Sequence, residues 1–446
     1  MKRVYHWKLV IVSLFVVLTE PVLSQDTLSL EDAIIMGLEN NFGIRVAKND
    51  VLIAKNNNTL GNAGFLPSMS ANLGGNLNIL NSDKTLKTGE TESADQNTLT
   101  KYGSIQLNWT LFDGMAMFIS KEQLSNLQKM GELKLRLSVE DAVGSVIIIY
   151  HEIIQQQKQI NSLEKSLTLS RERLRIAKEK SKIGAGYQLL EIQADVDLHA
   201  DSSNLLKQQN VLQNLLVELN SLLGRDPGVK YNIREIPMTF SSLNVESVLE
   251  GLNSENAELL YDRLNLENKS LAVKSYKSGR YPYLNFSSSY NLYDYQYSTG
   301  VYEKQKNQYP VFGLTAGINL FDGFNLNRSI RNAKIQYESQ QLLYSQKENM
   351  LKSYVIRFLN DFNLAVSLVK TEEVSMRLAT QNLSIAMEKY RLGAISDFEL
   401  REIQKKLLDA QYRYYTAQLQ AKTAEVELKI LSGVLLKEIK ATQVYF

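Results

Sequence analysis

The side chains that could do chemistry are few in this chain, and they stand apart. Its 446 residues include three histidines and no cysteine. His6 lies in an apolar N-terminal stretch, while His151 and His199 are single residues in helical pattern. Nothing in that spacing offers a metal an imidazole pair or a thiolate, or activates a nucleophile. No glycine-rich loop is spaced to cradle phosphates, so any energy input has to come from a partner. What remains are carboxylates. Glu399 and Glu402 are three residues apart and share one helix face, as ordinary solvated surface or as a place where cations gather. Asp113 and Asp322 are the third residue of Leu-Phe-Asp-Gly, which occurs at 111–114 and again at 320–323. An aspartate there caps the amides of a following helix and a glycine eases the bend. Asp113, Gly114, Asp322 and Gly323 therefore read as exits from strand into helix. No enzyme activity and no cofactor is expected.

The tetrapeptide recurs because most of the chain does. At the same offset of 209 residues, Gly184 in KSKIGAGYQLLEIQ matches Gly393 in KYRLGAISDFELREIQ, Ala177 matches Ala386, and Gly224 matches Gly433. Pro67 and Pro282 are 215 apart. Two copies of one unit follow each other. No proline falls between 68 and 226 or after 310, which leaves both tracts open to long helices. Each copy reads as a short helix (29–63, 245–278), two strands, a long helix (113–182, 324–391), a tight turn at Gly184 or Gly393, and a return helix (188–223, 397–432). A helix of that length is about 105 Å long. Within the first, Ile160, Leu163, Leu167, Leu174 and Ala177 follow a heptad seam in which Ser170 is the polar exception. The expected division is a cleaved export signal at 1–24, a first repeat at 25–223, a linker at 224–244, a second repeat at 245–434 and a tail at 435–446.

The signal is read from Lys2, Arg3 and Lys8 before the apolar run Leu9–Leu18, with small Val22 and Ser24 ahead of the cut. The remainder has no apolar stretch long enough for a membrane helix. With 50 Lys and Arg against 48 Asp and Glu, the whole chain carries no basic footprint for nucleic acid. The strands carry the membrane signal. Over 68–79, Met69, Ala71, Leu73, Leu77 and Ile79 oppose Ser68, Ser70, Asn72, Asn76 and Asn78. The strands at 103–111, 284–292 and 312–320 alternate in the same way. An apolar face backed by small uncharged polar residues, nine to twelve residues long, suits a barrel strand between lipid and a wet lumen. Tyr290, Tyr293, Tyr295, Tyr297, Tyr302 and Tyr309 near the strand ends suggest an interfacial girdle. Asn81–Thr100 and Asp294–Gln308 read as polar extracellular loops. Four strands cannot close around water, so the barrel must be shared; three copies would bring twelve.

The opening LSLEDAIIMGLENN, the two LFDG exits and EKYRLGAISDFELREIQKKLLDAQ resemble the TolC-type outer-membrane efflux proteins, in order and over nearly the whole mature chain. The resemblance implies an α+β membrane protein: a homotrimer with a shared twelve-stranded β-barrel, in outer-membrane lipid, continued by a long periplasmic α-helical barrel. It implies a passive efflux or secretion duct that works with a periplasmic adaptor and an inner-membrane transporter. A type I protein-secretion duct and a non-conducting envelope-spanning coiled coil are the alternatives. Gly184 and Gly393 would be the helix-turn-helix tips. Glu399 and Glu402 fall where the family places an acidic periplasmic gate, whereas Leu190 in the first copy is not acidic. Ile395 stands where a basic partner is expected, so the chain does not say whether salt bridges lock the gate. The cargo, whether drug, metal ion or protein, is not written in the chain.

Overall fold

The computed structural model describes residues 27–183, 188–241 and 244–441. The expected signal and the first tip glycine, Gly184, lie outside the described residues.

The first repeat begins with β1 (Thr27–Leu28), α1 (Leu30–Asn40) and α2 (Phe42–Asn57). The hairpin of β2 (Ser68–Thr85) and β3 (Thr91–Asp113) follows. Next come the 67-residue α3 (Ala116–Lys182) and its return, α4 (Gln188–Leu222). After β4 (Asn232–Ile233), the second repeat runs through α5 (Val245–Glu255), α6 (Ala257–Ser278), β5 (Tyr283–Tyr297) and β6 (Lys304–Gly317). It ends with α7 (Asn325–Arg391), also 67 residues, α8 (Asp397–Leu431) and a short α9 (Leu435–Ala441). At 1.5 Å per residue, α3 and α7 are each about 100 Å long.

Where one short helix per repeat is expected, there are two, broken at Asn41 and Asn256. Both asparagines leave helical geometry, with ψ of 125° and 119°. The Asn41 carboxamide accepts from the Ile44 amide at 3.1 Å and donates to the Leu222 carbonyl at 2.9 Å. Asn256 accepts from Leu259 at 2.9 Å and donates to Leu431 at 3.1 Å. One side chain thus starts one helix and closes the end of another. The glycines after those ends complete the junction. Gly224 and Gly433 have φ of 64° and 67°. A Cβ would stand 2.3 Å from the Asn40 carbonyl oxygen at the first and 2.7 Å from that of Glu255 at the second.

The four long strands form one antiparallel sheet in the order β2-β3-β5-β6. They outrun the expected spans. Pairing continues to Thr85↔Thr91 in the first hairpin and to Gln296↔Lys304 in the second. The expected loops are therefore mostly strand, with tight turns left at 86–90 and 298–303. The last strand ends at Gly317, not at 320, because β5 begins at Tyr283, the partner of Gly317, and offers nothing further to pair with. One face of the sheet is apolar and open: Met69, Leu73, Leu77, Ile105, Phe312 and Leu314 are all exposed. Among the described residues no helix is long and apolar enough to cross a membrane.

The core lies midway along the rod, where the helical layers are thickest. Val146, Tyr150 and Ile153 of α3 pack there with Leu219 of α4 and with Ala33 and Ile34 of α1. The second repeat builds the same cluster from Val355, Leu359, Phe362, Leu428 and Val248. The Tyr150 hydroxyl donates to the carbonyls of Leu28 at 3.0 Å and Arg234 at 2.7 Å, tying the rod to the β1–β4 ladder. Burial first, then the Glu31 carboxylate, pushes that phenol up to about 12.

Candidate functional site

The two strand exits share one construction. The Asp113 carboxylate accepts from the Met117 amide at 3.1 Å, and that of Asp322 from Leu326 at 2.7 Å. Gly114 and Gly323 turn the chain with φ of 70° and 68°, and Met115 and Phe324 follow at 76° and 62°. Two successive left-handed residues reverse the chain from sheet into rod, with the carboxylate satisfying an amide of the first helical turn.

At the far end of the rod, Gly393 turns α7 into α8 with φ of 75°. The Ala394 amide closes on the Lys389 carbonyl at 2.8 Å. Ser396 then caps α8: its hydroxyl accepts from the Glu399 amide at 3.2 Å, and the Glu399 carboxylate accepts from the Ser396 amide at 2.7 Å. Those bonds from Ser396 hold Glu399 below the usual carboxylate range. Glu399 therefore has a structural task as well as an exposed charge. Glu402 stands one turn on, 3.6 Å from Lys405. The structure places both glutamates on the tip's outer turns.

Sequence reasoning missed the cluster behind them. Arg173 of α3, 1% exposed, reaches Asp397 of α8 with two nitrogens, Nε at 3.1 Å, and Asp197 of α4 at 3.2 Å. Arg401 of α8 makes a fork to Asp201 of α4 at 2.7 and 2.8 Å. Ser170 donates to Asp201 at 2.6 Å, and Gln404 donates to Ser166 Oγ at 2.6 Å and Ser170 Oγ at 3.0 Å. Burial and the Asp397 carboxylate push the nearby Tyr390 phenol above its ordinary value. The sequence left open whether salt bridges tie this tip, and the structure shows buried ion pairs there. Ile395 is indeed not basic, but Arg173 and Arg401 supply the cations from one turn deeper. Apolar packing here is thin, with small clusters around Leu174 and Ala194 and around Ala386 and Leu400. Charge-assisted bonds thus dominate the junction of three helices. Breaking one such buried pair leaves an uncompensated charge and costs about 3–5 kcal/mol. Ser170, the polar residue in an otherwise apolar seam, was the one signal of this cluster.

Residues 248–434 match the sequence profile of the outer membrane efflux protein family. The proteases secretion protein PrtF of Dickeya chrysanthemi is 20% identical over 89% of this chain and 87% of its own length. The fold matches the outer membrane protein VceC of Vibrio cholerae with a TM-score of 0.72, at 15% identity over 91% of this chain and 96% of VceC. It matches the CmeC outer membrane channel of Campylobacter jejuni with a TM-score of 0.73, at 15% identity over 91% and 85%. The duplicated strand-helix units and the four-stranded sheet thus give the chain the fold of these outer-membrane channels, and its second repeat is similar in sequence to the outer membrane efflux protein family.

Proposed function

We propose that three copies of this chain assemble into an outer-membrane duct that passively exports cargo delivered from the inner membrane. The chain is an outer-membrane protein whose rod reaches into the periplasm, and its family members are trimeric channels of tripartite systems. One observation carries the reading: the sheet ends in two open edges, β2 and β6, with a bare apolar face backed, over 68–78 and 285–291, by small uncharged residues. Open edges of such length need partners, and twelve strands close around a water-filled lumen. A periplasmic adaptor and an inner-membrane transporter would engage the rod. Because the chain has no energy-coupling motif, they choose the cargo and drive it.

Within this reading the Gly393 tip is the periplasmic gate. Glu399 and Glu402 form carboxylate rings at its mouth, Gly184 would turn the companion tip of the first repeat, and the Arg173–Asp397 and Arg401–Asp201 bonds hold the tip closed. The division into two repeats, linker and tail serves that layout: each repeat supplies two strands and one tip. Similarity to a protein named for protease secretion favours polypeptide cargo as a second reading, and deletion of the gene with assay of secreted protein tests it. The main test is direct. Detergent-purified protein should be a trimer and should open discrete conductances in a planar bilayer. A stable monomer, or a trimer that inserts without conducting, overturns the duct.

A further inference from the structure

The strand-end tyrosines do not sit where an interfacial girdle would be. Alternation along β5 is unbroken, so Tyr293, Tyr295 and Tyr297 share the face of Asn285, Ser287, Ser289 and Asn291. Tyr102 shares the face of Ser104 and Gln106 in β3, and Tyr309 that of Gly313 and Thr315 in β6. All five are on the polar face, and of the β5 and β6 tyrosines only Tyr290 and Tyr283 need separate placing: Tyr290 is on the apolar face and Tyr283 at the opposite strand end. The five touch one another. Ring centroids lie 5.7 Å apart for Tyr293–Tyr295 and 6.2 Å for Tyr295–Tyr297, both stacked; Tyr309 stacks on Tyr293 at 6.2 Å, and Tyr102 lies 6.0 Å from Tyr293.

Their level along the barrel follows from the other face. Leu284, Phe286, Tyr290 and Leu292 make it largely apolar for nine residues of β5, about 30 Å at 3.3 Å each. Immediately beyond comes a cross-strand row of charges, Lys101↔Asp294↔Lys306. The outward face therefore leaves lipid where the inward face becomes aromatic. Within the ladder, the residues flanking the tyrosines on the inward face (Asn76, Asn78, Thr98, Thr100, Gln305 and Asn307) carry no charge; Glu303, just past its end, accepts from the Tyr297 amide through its backbone carbonyl. An inward surface of stacked π faces without fixed charge attracts flat aromatic groups by stacking and cations by the ring quadrupole.

We propose that Tyr102, Tyr293, Tyr295, Tyr297 and Tyr309 form a lumenal stacking site at the extracellular mouth, repeated three times around the barrel, which takes planar aromatic cations in transit. The site rests on the shared-barrel reading above. It adds the chemistry of the exit: cargo of this class pauses on the tyrosines before release, whereas an equally charged cation without rings passes freely.

The test is channel block in planar bilayers, with ethidium added on the extracellular side and tetraethylammonium as the ringless control. Wild-type channels should be blocked by ethidium and not by tetraethylammonium. The triple change Tyr293→Ala, Tyr295→Ala, Tyr297→Ala should weaken ethidium block at least tenfold, whereas the three Tyr→Phe changes together should retain it. Should the triple alanine protein not insert, Tyr295→Ala alone removes the middle of the stack and should weaken block several-fold. Ethidium block that is absent in the wild type, unchanged in either alanine variant, or matched by tetraethylammonium overturns the site while leaving the channel intact. A wild-type trimer with no conductance overturns the channel reading itself and the site with it.

Discussion

The two repeats share a scaffold and differ at their ends. Midway along the rod, equivalent positions do equivalent work. Asn41 and Asn256 each cap one helix and close another, Gly224 and Gly433 each accept a carbonyl where a Cβ would collide, and Val146 and Val355 are both fully buried. Away from the middle the copies diverge. Arg173 is buried in the ionic cluster, while its counterpart in the second repeat, Asn382, is exposed. Even within the middle one pair differs: His151 is buried, while its counterpart Asn360 is exposed. In the return helices it is the second repeat that supplies the buried ions, Asp397 and Arg401, while Leu190 near the start of α4 is exposed. Duplication therefore preserved the packing that every copy needs and freed the rest to become complementary: one repeat's long helix and return helix hold the other repeat's return helix.

That complementarity can be broken from one side. Arg173→Ala should leave the Asp397 carboxylate buried without its cation and cost about 3–5 kcal/mol locally, whereas Asn382→Ala should stay within about 0.5 kcal/mol. Circular dichroism during urea unfolding, paired with single-channel conductance, measures both. The arginine variant should also conduct more, since the tip loses its tie. Equal effects at the two positions would mean that the cluster does not hold the tip.

His151 sharpens the comparison through pH. Burial first, then Lys422 and Lys158 against the opposing Glu425, pushes its imidazole from 6.5 down to about 4. Above pH 6.5 it is neutral whether folded or unfolded and contributes no penalty. As pH falls the unfolded chain takes the proton first, so stability drops between about 6.5 and about 4 and then levels. At 1.36 kcal/mol per pKa unit the loss is about 3 kcal/mol. His151→Asn, which installs the second repeat's own residue, should flatten that part of the stability–pH curve, followed by thermal melting at a series of pH values. Lys422 and Lys429 hold Glu425 below its ordinary range despite its burial, so a second acid loss at lower pH should survive in the variant.

The strand exits allow a smaller contrast. Gly323→Ala asks an alanine to adopt a left-handed backbone with no clash, its Cβ 3.7 Å from Asn325 Nδ2, at a cost of roughly 1–2 kcal/mol. Gly114→Ala carries that cost and also drives a Cβ to 2.4 Å from the Ser278 carbonyl oxygen. The first-repeat variant should thus melt lower, and equal melting temperatures would show that the sheet-to-rod bend is slack.

The smallest effect on stability belongs to the tip glutamates. Glu399→Ala should lower the melting temperature slightly because it opens the Ser396 capping box, and Glu402→Ala should barely move it. Both should lower cation selectivity of the channel if their carboxylates ring the mouth. Reversal potentials in a salt gradient read this, and unchanged selectivity in both variants reduces them to a cap and a surface charge.

Periodicity decided much of this protein without reference to its tertiary structure. Alternation in the strands, the 209-residue offset and the proline-free tracts set out sheet, rod and duplication, because local sequence patterns report which face is wet and which is buried. The Asp-Gly exits were equally visible, since a cap and a left-handed turn involve only neighbours in sequence. The tyrosine cluster was visible in position but not in sense: nearness to the strand ends suggested lipid interface, whereas parity along β5, maintained by unbroken pairing, turned the rings inward. The tip cluster could come only from the fold. Arg173 and Asp397 are 224 residues apart, on helices from different repeats, and each alone has the look of an ordinary solvated charge. A charge becomes buried when other elements cover it, and that covering is a property of how the helices dock, which no single stretch of sequence contains.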